Sequence, residues 1–281
     1  MNEKTILITG CSSGIGLCVA EGLKARGYRV FATARKAADV EMLLQQGFEA
    51  LQLDLAESDS ITAAVDEVLK RTGGTLDALF NNGAYGQAGA VEDLRREVLR
   101  EQFETNLFGT HELTCKLLPV MRRQGQGRII QNSSVLGIVS LPFRGAYNSS
   151  KYALEGLSDT LRLELRGSGI HISLIEPGPV VSRFRANSFA KYREHIDKEQ
   201  SFFRDTYQRM EERLTKEGPA APFTLPPEAV LEKVLHALES PRPRARYYVT
   251  FPTYLFGTLK RLLSTRALDW VLSRVSKDEN S

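Results

Sequence analysis

Residues 4–16, KTILITGCSSGIG, decide the fold of this chain of 281 residues. KTILIT is a short β-branched run that ends at Gly10 and reads as a buried first strand. The glycine-rich turn Thr9 to Gly16 follows. Apolar residues Ile15, Leu17, Val19, Ala20 and Leu23 then recur at helical spacing. Strand, glycine turn and helix in this order form the context of a dinucleotide-binding fingerprint. Gly10 permits a tight turn, Gly14 lets the backbone approach a pyrophosphate, and Gly16 lets the helix pack closely on the sheet. The free N–H groups and positive dipole end of the helix favour phosphate there. The glycine spacing is G-x-x-x-G-x-G, not G-x-G-x-x-G.

Strand patterns continue outward from this turn, at ILIT (6–9), YRVFAT (28–33), FEALQLD (48–54), LDALFNN (76–82), RIIQNSS (128–134) and HISLIEP (171–177), with YYVT (247–250) a weaker seventh. Helical patterns cover about 14–26, 58–71, 97–124, 146–166 and 227–239. Such alternation predicts an α/β fold: a doubly wound parallel (Rossmann) sheet of about seven strands with helices on both faces. No linker or repeat interrupts it, so residues 1–281 read as a single domain. The second strand ends at Thr33-Ala34-Arg35. An acid near this point would bind a ribose 2′-hydroxyl; its absence, with a guanidinium suited to a 2′-phosphate, favours NADP(H) over NAD.

Tyr147 lies thirteen positions after Ser134, and Lys151 four positions after Tyr147. The tyrosine and lysine share one helix face, one turn apart. A phenol titrates near ~10 and is a poor acid–base group at neutral pH. An ammonium beside it lowers that value, and a serine hydroxyl can hold a carbonyl or alcohol oxygen next to the phenol.

Together these motifs resemble the short-chain dehydrogenase/reductase family over about residues 4–182, and more loosely to about 250. The chain is most similar to the group with 17β-hydroxysteroid dehydrogenases, retinol dehydrogenases and bacterial NADP-dependent aldehyde reductases. The family's TGxxxGxG is Thr9 to Gly16, and its adenine-contacting acid after strand three matches Asp54. NNAG matches Asn81-Asn82-Gly83-Ala84, with the last two residues reversed. Both are small, so backbone approach to a cofactor should survive. The family's catalytic Asn, Ser, Tyr and Lys match Asn106, Ser134, Tyr147 and Lys151. Its PG motif matches Pro177-Gly178, and Ser182 stands where a Thr near the nicotinamide amide is common.

The resemblance implies hydride transfer between nicotinamide and a carbonyl or alcohol. Tyr147 acts as general acid/base, Ser134 orients the substrate oxygen, Lys151 lowers the tyrosine pKa and binds the nicotinamide ribose, and Asn106 holds a water linking Lys151 to solvent. The implied cofactor-binding set is Thr9, Gly10, Ser12, Ser13, Gly14, Ile15 and Gly16 of the loop, Arg35, Asp54 and Leu55, Asn81 and Gly83, then Tyr147, Lys151, Pro177, Gly178, Val180 and Ser182. Family members commonly pair through the helices carrying Asn106 and Tyr147, so a homodimer or homotetramer is expected. Two alternatives are a non-catalytic NADP(H)-binding or sensing protein, which the complete residue set disfavours, and a nucleotide-sugar epimerase or dehydratase, which the glycine spacing and short C-terminal part disfavour.

A net charge of +3 gives no argument for nucleic acid. Cys11, Cys18 and Cys115 lack metal spacing, and the four histidines lie outside every motif, so no metal site is expected. The sparse, odd cysteine count, the first strand starting just after MNEK and the lack of a spanning apolar stretch lead to an expected cytoplasmic location.

Residues 183–225 read as a helical lid over the substrate. Each of Phe184, Phe189, Tyr192, Phe202, Phe203 and Tyr207 taken singly reads as packing of the lid onto the domain; as a group that could line a pocket, with Leu141, Phe143 and Val180 near the motifs, they point to a small apolar carbonyl or alcohol substrate such as an aldehyde, ketone, steroid or retinoid. The amphipathic, basic tail at about 252–275 reads as a terminal helix packed on the domain or on another subunit, in preference to peripheral membrane contact.

Overall fold

Seven strands, β1 (Thr5–Ile8), β2 (Arg29–Ala34), β3 (Glu49–Gln52), β4 (Ala78–Asn81), β5 (Gly127–Asn132), β6 (Ile170–Glu176) and β7 (Arg246–Tyr248), form one sheet in the order β3-β2-β1-β4-β5-β6-β7. Every neighbouring pair is parallel. The computed structural model describes residues 3–215, 218 and 221–280, and side chains for all of these except 276–280. Each strand returns through a helical crossover, which covers both faces of the sheet and explains why the central strands β1 and β4 are buried at every position. Strand order reverses between β1 and β4, and there the C-terminal strand ends open a crevice.

The helices are α1 (Gly14–Ala25), α2 (Ala37–Gln45), α3 (Ser58–Arg71), α4 (Arg96–Phe103), α5 (Gly109–Gln124), α6 (Gly145–Glu164), α7 (Phe184–His195), α8 (Arg204–Thr215), α9 (Glu228–Glu239), α10 (Phe251–Leu262) and α11 (Thr265–Asn280). Successive residues of β1 serve two cores. Ile6 and Ile8 pack with Val19 and Leu23 of α1 and Val230 and Val234 of α9. Leu7 packs with Ile61 and Val65 of α3 and Leu113 and Leu117 of α5 on the other face. Truncating any one of these aliphatic side chains to Ala would cost about 2–5 kcal/mol.

The helices expected at 14–26, 58–71, 146–166 and 227–239 form within a residue or two of those bounds. Helix α2 was not anticipated: it is short and buries only Leu43 fully, so its periodic signal is weak. The segment expected as one helix over 97–124 is α4, one π-helical turn (Glu104–Phe108) and α5. A π turn inserts one extra residue per turn and re-aims side chains, commonly at functional sites; here it carries Asn106.

Candidate active site

The glycine loop supplies the floor of the crevice. Gly10 and Gly14 have φ of 71° and 58°, a left-handed conformation that L side chains avoid. At Gly16 the constraint is space, since a Cβ there would lie 2.2 Å from the Gly10 carbonyl oxygen. A Cβ on Gly14 would meet the Ser182 Cβ at 2.9 Å, so the segment after β6 lies directly over the loop. Ser13 precedes α1 without capping it through its side chain. The first N–H groups of α1 therefore face the crevice beside Ser12 and Ile15 and suit a pyrophosphate. The cradle fits a dinucleotide. Cys11 lies behind it as a buried thiol, donating to the Ile8 carbonyl at 3.3 Å and pushed up to about 12 by burial, which makes it a filler of a small space.

Thr9 ties the loop to β4. Its Oγ1 accepts from the N–H groups of Asn82 (2.9 Å) and Gly83 (2.8 Å). The reversed Gly83-Ala84 pair is accommodated without strain. Gly83 presents its bare Cα to Gly10, and Ala84 is absent from the described non-glycine residues with positive φ. The Asn81 Nδ2 donates to Thr114 Oγ1 at 3.0 Å, which turns this side chain into the core below the loop. At the outer end of the crevice Arg35 is exposed beyond β2, and Gln52 Nε2 donates to its carbonyl at 3.0 Å. Asp54 closes an Asx turn by accepting from Ala56 N at 3.0 Å, and Leu55 is buried next to it.

Ser134, Tyr147 and Lys151 meet on the other side. Ser134 begins a 3₁₀ turn after β5 and accepts from Leu136 N at 3.1 Å, and its hydroxyl is near enough to the Tyr147 phenol to pull its value down. The neighbouring Ser133 Oγ is buried without a partner. Pro177 O accepts from Val135 N at 2.8 Å, which fixes the Pro177-Gly178 segment against the serine turn. A Cβ on Gly178 would meet Thr250 Oγ1 at 2.1 Å, and Val180 bridges to Leu225.

Lys151 is 3 % exposed and donates to the Asn132 carbonyl at 2.7 Å. Its ammonium lies 5.7 Å from the centre of the Tyr147 ring. Burial pushes the ammonium down to about 8, against the pull of Glu155. Burial likewise pushes the Tyr147 phenol up to about 12, opposed by the Ser134 hydroxyl beside it. The direction is opposite to the lowered phenol value expected from the Tyr–Lys spacing. At this distance the lysine spends its hydrogen bond on Asn132, and desolvation of the phenolate is the larger effect.

Asn106 is 1 % exposed. Its Nδ2 donates to Tyr85 O (2.9 Å) and Ser150 Oγ (3.2 Å), and its Oδ1 accepts from Tyr85 N (3.1 Å). The amide thus locks the post-β4 loop to α6, with one oxygen lone pair left for a water.

Several participants escaped the sequence reading. The Asn132 side chain donates to Asn82 Oδ1 at 2.9 Å, and Asn82 Nδ2 donates to the carbonyls of Thr9 (2.9 Å) and Gly10 (3.1 Å). A polar chain therefore runs from Lys151 through two asparagines to the glycine loop. Asn82 lies inside the NNGA motif and Asn132 two residues before Ser134, so motif proximity was the available signal. Below Lys151, Arg246 of β7 bonds Glu155, Asp159 and the fully buried Glu176. Burial and the Glu155 charge push the Glu176 carboxyl up to about 8 despite the arginine. Nothing in the apolar pattern of HISLIEP marks this network.

The lid candidates separate into roles. Phe184, at the start of α7, packs edge-on against Tyr147 with ring centres 5.1 Å apart. Tyr192 and Tyr207 are 1 % and 0 % exposed and form a core between α7 and α8 with Ile196, Met210 and Leu214. Their hydroxyls donate to Glu211 and Asp93. Phe189 and Phe203 pack on that core, while Phe202 is 88 % exposed. Of these six aromatics, Phe184 is set against Tyr147, while Tyr192, Tyr207, Phe189 and Phe203 pack together away from it. Among the described residues no cluster of His, Cys, Asp and Glu has the geometry for a metal ion, and no helix is long and apolar enough to cross a membrane.

Comparison with known proteins agrees with this architecture. Residues 4–193 match the family model for short chain dehydrogenases. The chain is 46 % identical over 270 residues to the uncharacterized oxidoreductase YbbO of Escherichia coli, covering 96 % of this chain and 94 % of that one. It is 36 % identical over 263 residues to human 17-beta-hydroxysteroid dehydrogenase type 1, covering 89 % and 78 %. Among solved structures, a short-chain dehydrogenase from Streptomyces avermitilis superposes with a TM-score of 0.76 at 29 % identity, over 98 % of both chains. With a nucleotide cradle at the strand-order reversal, a Ser–Tyr–Lys cluster beside it and relatives of matching length, the chain belongs to the short-chain dehydrogenases, a family of nicotinamide-dependent oxidoreductases.

Proposed function

We propose that this protein interconverts a carbonyl and an alcohol on a small apolar substrate with NADP(H). The observation that carries the reading is the Tyr147 hydroxyl, beside Ser134 and one helical turn from a buried Lys151, next to a cradle shaped for a dinucleotide. When bound, the nicotinamide supplies or accepts the hydride. The glycine loop and the α1 N-terminus would hold the pyrophosphate, Asp54 and Leu55 the adenine side, and Arg35 the 2′-phosphate. Asn81, Gly83, Pro177, Gly178, Val180 and Ser182 would flank the nicotinamide half.

In reduction Ser134 donates a hydrogen bond to the substrate oxygen and Tyr147 delivers its proton there. With a phenol near 12, Tyr147 enters the step fully protonated at neutral pH. The Lys151 ammonium then stabilises the developing phenolate, and it carries that charge below about pH 8. Reductive turnover should therefore fall as pH rises through about 8, where Lys151 gives up its proton. Asn106 keeps the Tyr85 loop and α6 in register around this centre. Phe184 over the Tyr147 ring supports an apolar substrate, in keeping with the steroid named for the human relative. Exposed Leu99, Phe108, Leu157 and Leu163 on and between α4 and α6 support pairing of two chains through those helices.

The test is oxidation of NADPH and NADH with aldehydes and ketones of increasing apolar size, for wild type and Arg35→Asp. Wild type should favour NADPH, and the variant should lose about 100-fold in kcat/KM for NADPH while holding or gaining with NADH. An unchanged preference would refute the role given to Arg35. No turnover of any carbonyl with either cofactor would refute the activity.

A further inference from the structure

The outward face of α10 is apolar where an ordinary terminal helix is polar. Its inward side is fully engaged: Phe256 packs with Val139 and Leu272, Leu259 joins the same cluster, and Lys260 donates to the Ile138 carbonyl. The opposite stripe, Phe251, Tyr254, Leu255 and Leu262, follows i, i+3, i+4 and i+11 spacing and is 55 %, 50 %, 39 % and 75 % exposed. Phe223 extends the stripe, 59 % exposed with its ring centre 4.9 Å from that of Phe251. Adjacent exposed aromatic and aliphatic side chains of this kind mark an interaction surface.

Charge identifies what covers it. Arg261 of α10 and Arg266 and Arg274 of α11 are exposed, against one exposed acid, Asp269, over 261–275. Arg261 lies on the apolar stripe, next to Leu262 and one turn past Thr258. On α11 Trp270 is 57 % exposed, and Arg274 stacks over its ring at 3.8 Å. A two-fold contact between copies would bring like charges of this face together. An anionic bilayer instead accepts the aromatic and leucine side chains at its headgroup boundary and attracts the basic ones.

We propose that the outward face of α10, with Arg266 and Arg274 of α11, docks this protein on anionic lipid surfaces. The helices rest inward on the Val135–Leu141 segment and α11 on α8, so a docked molecule carries its substrate side close to the bilayer. The proposal does not depend on the proposed activity, and its test reads binding alone.

The full chain is floated with vesicles of phosphatidylcholine and with vesicles of three parts phosphatidylcholine to one of phosphatidylglycerol. Wild type should float with the anionic vesicles at least tenfold better, and lose that advantage at high salt. F251S/L255S/L262S should reduce flotation at least about tenfold, and Arg261→Gln about fivefold. Circular dichroism and NADPH binding check that the variants fold, which the exposure of these side chains favours; should the triple variant fail, Arg261→Gln alone decides. The proposal is overturned by no flotation with anionic vesicles, by flotation that neither variant changes, or by a wild-type dimer that the serine substitutions convert to monomer, which would assign the face to a second copy.

Discussion

The nucleotide half and the substrate half of this crevice were built under different constraints. Around residues 9–16 and 81–84 the backbone itself is the binding surface. Each position is restricted locally, by a left-handed φ at Gly10 and Gly14 or by 2.2 Å of room for a Cβ at Gly16. In the α7–α8 segment over 184–215, positions are restricted by partners far along the chain: Tyr207 by Asp93 and Ala90, and the α7–α8 core by Ala88 and Phe143. Local constraints write themselves into residue type and spacing, whereas distant ones do not. The cradle should therefore tolerate almost no substitution, while the lid should tune specificity in smaller steps.

Gly16→Ala should have the largest effect on the first half. The added methyl collides with a fixed carbonyl, and a cost of about 2–4 kcal/mol is expected, read as a lower urea midpoint together with lost NADPH binding. A variant with wild-type stability and cofactor affinity would break the contrast. In the second half, Phe184→Ala should leave cofactor affinity within about twofold and raise KM for bulky apolar carbonyls about tenfold, with a smaller change in kcat. An equal loss of NADPH binding would mean that the lid aromatic belongs to the cradle.

Beneath both halves lies the Arg246 network. A carboxyl whose value is about 8 in the folded protein keeps a proton that the unfolded chain releases above its ordinary value near 4.5. Glu176 therefore contributes stability that is fully present below about pH 4.5 and is lost as pH rises through about 8. Wild type should lose stability relative to Glu176→Gln between pH 5 and 8.5, on the order of 2 kcal/mol. Parallel melting-temperature profiles would show that the glutamate is ionised throughout.

The same contrast explains what could be read in advance. Parallel order, the glycine loop and the Tyr147–Lys151 spacing follow from strand patterns and helix periodicity, and the structure forms them. The break at Asn106 was invisible, because a π turn within 97–124 leaves the apolar pattern nearly continuous. The direction of the Tyr147 shift was also inaccessible, because spacing places the ammonium on the correct face without saying that its hydrogen bond goes to Asn132. For Tyr192 and Tyr207 the sequence left packing and pocket lining both open, and their burial and hydroxyl partners on α8 and in the turn just before α4 decide for packing.

The most direct test is Tyr147→Phe beside wild type, measuring carbonyl-dependent NADPH oxidation and NADPH affinity in the same preparations. Turnover is expected to fall by about 10²–10⁴ with cofactor affinity unchanged within a few-fold. Turnover within about threefold of wild type would contradict the assignment of the proton to Tyr147.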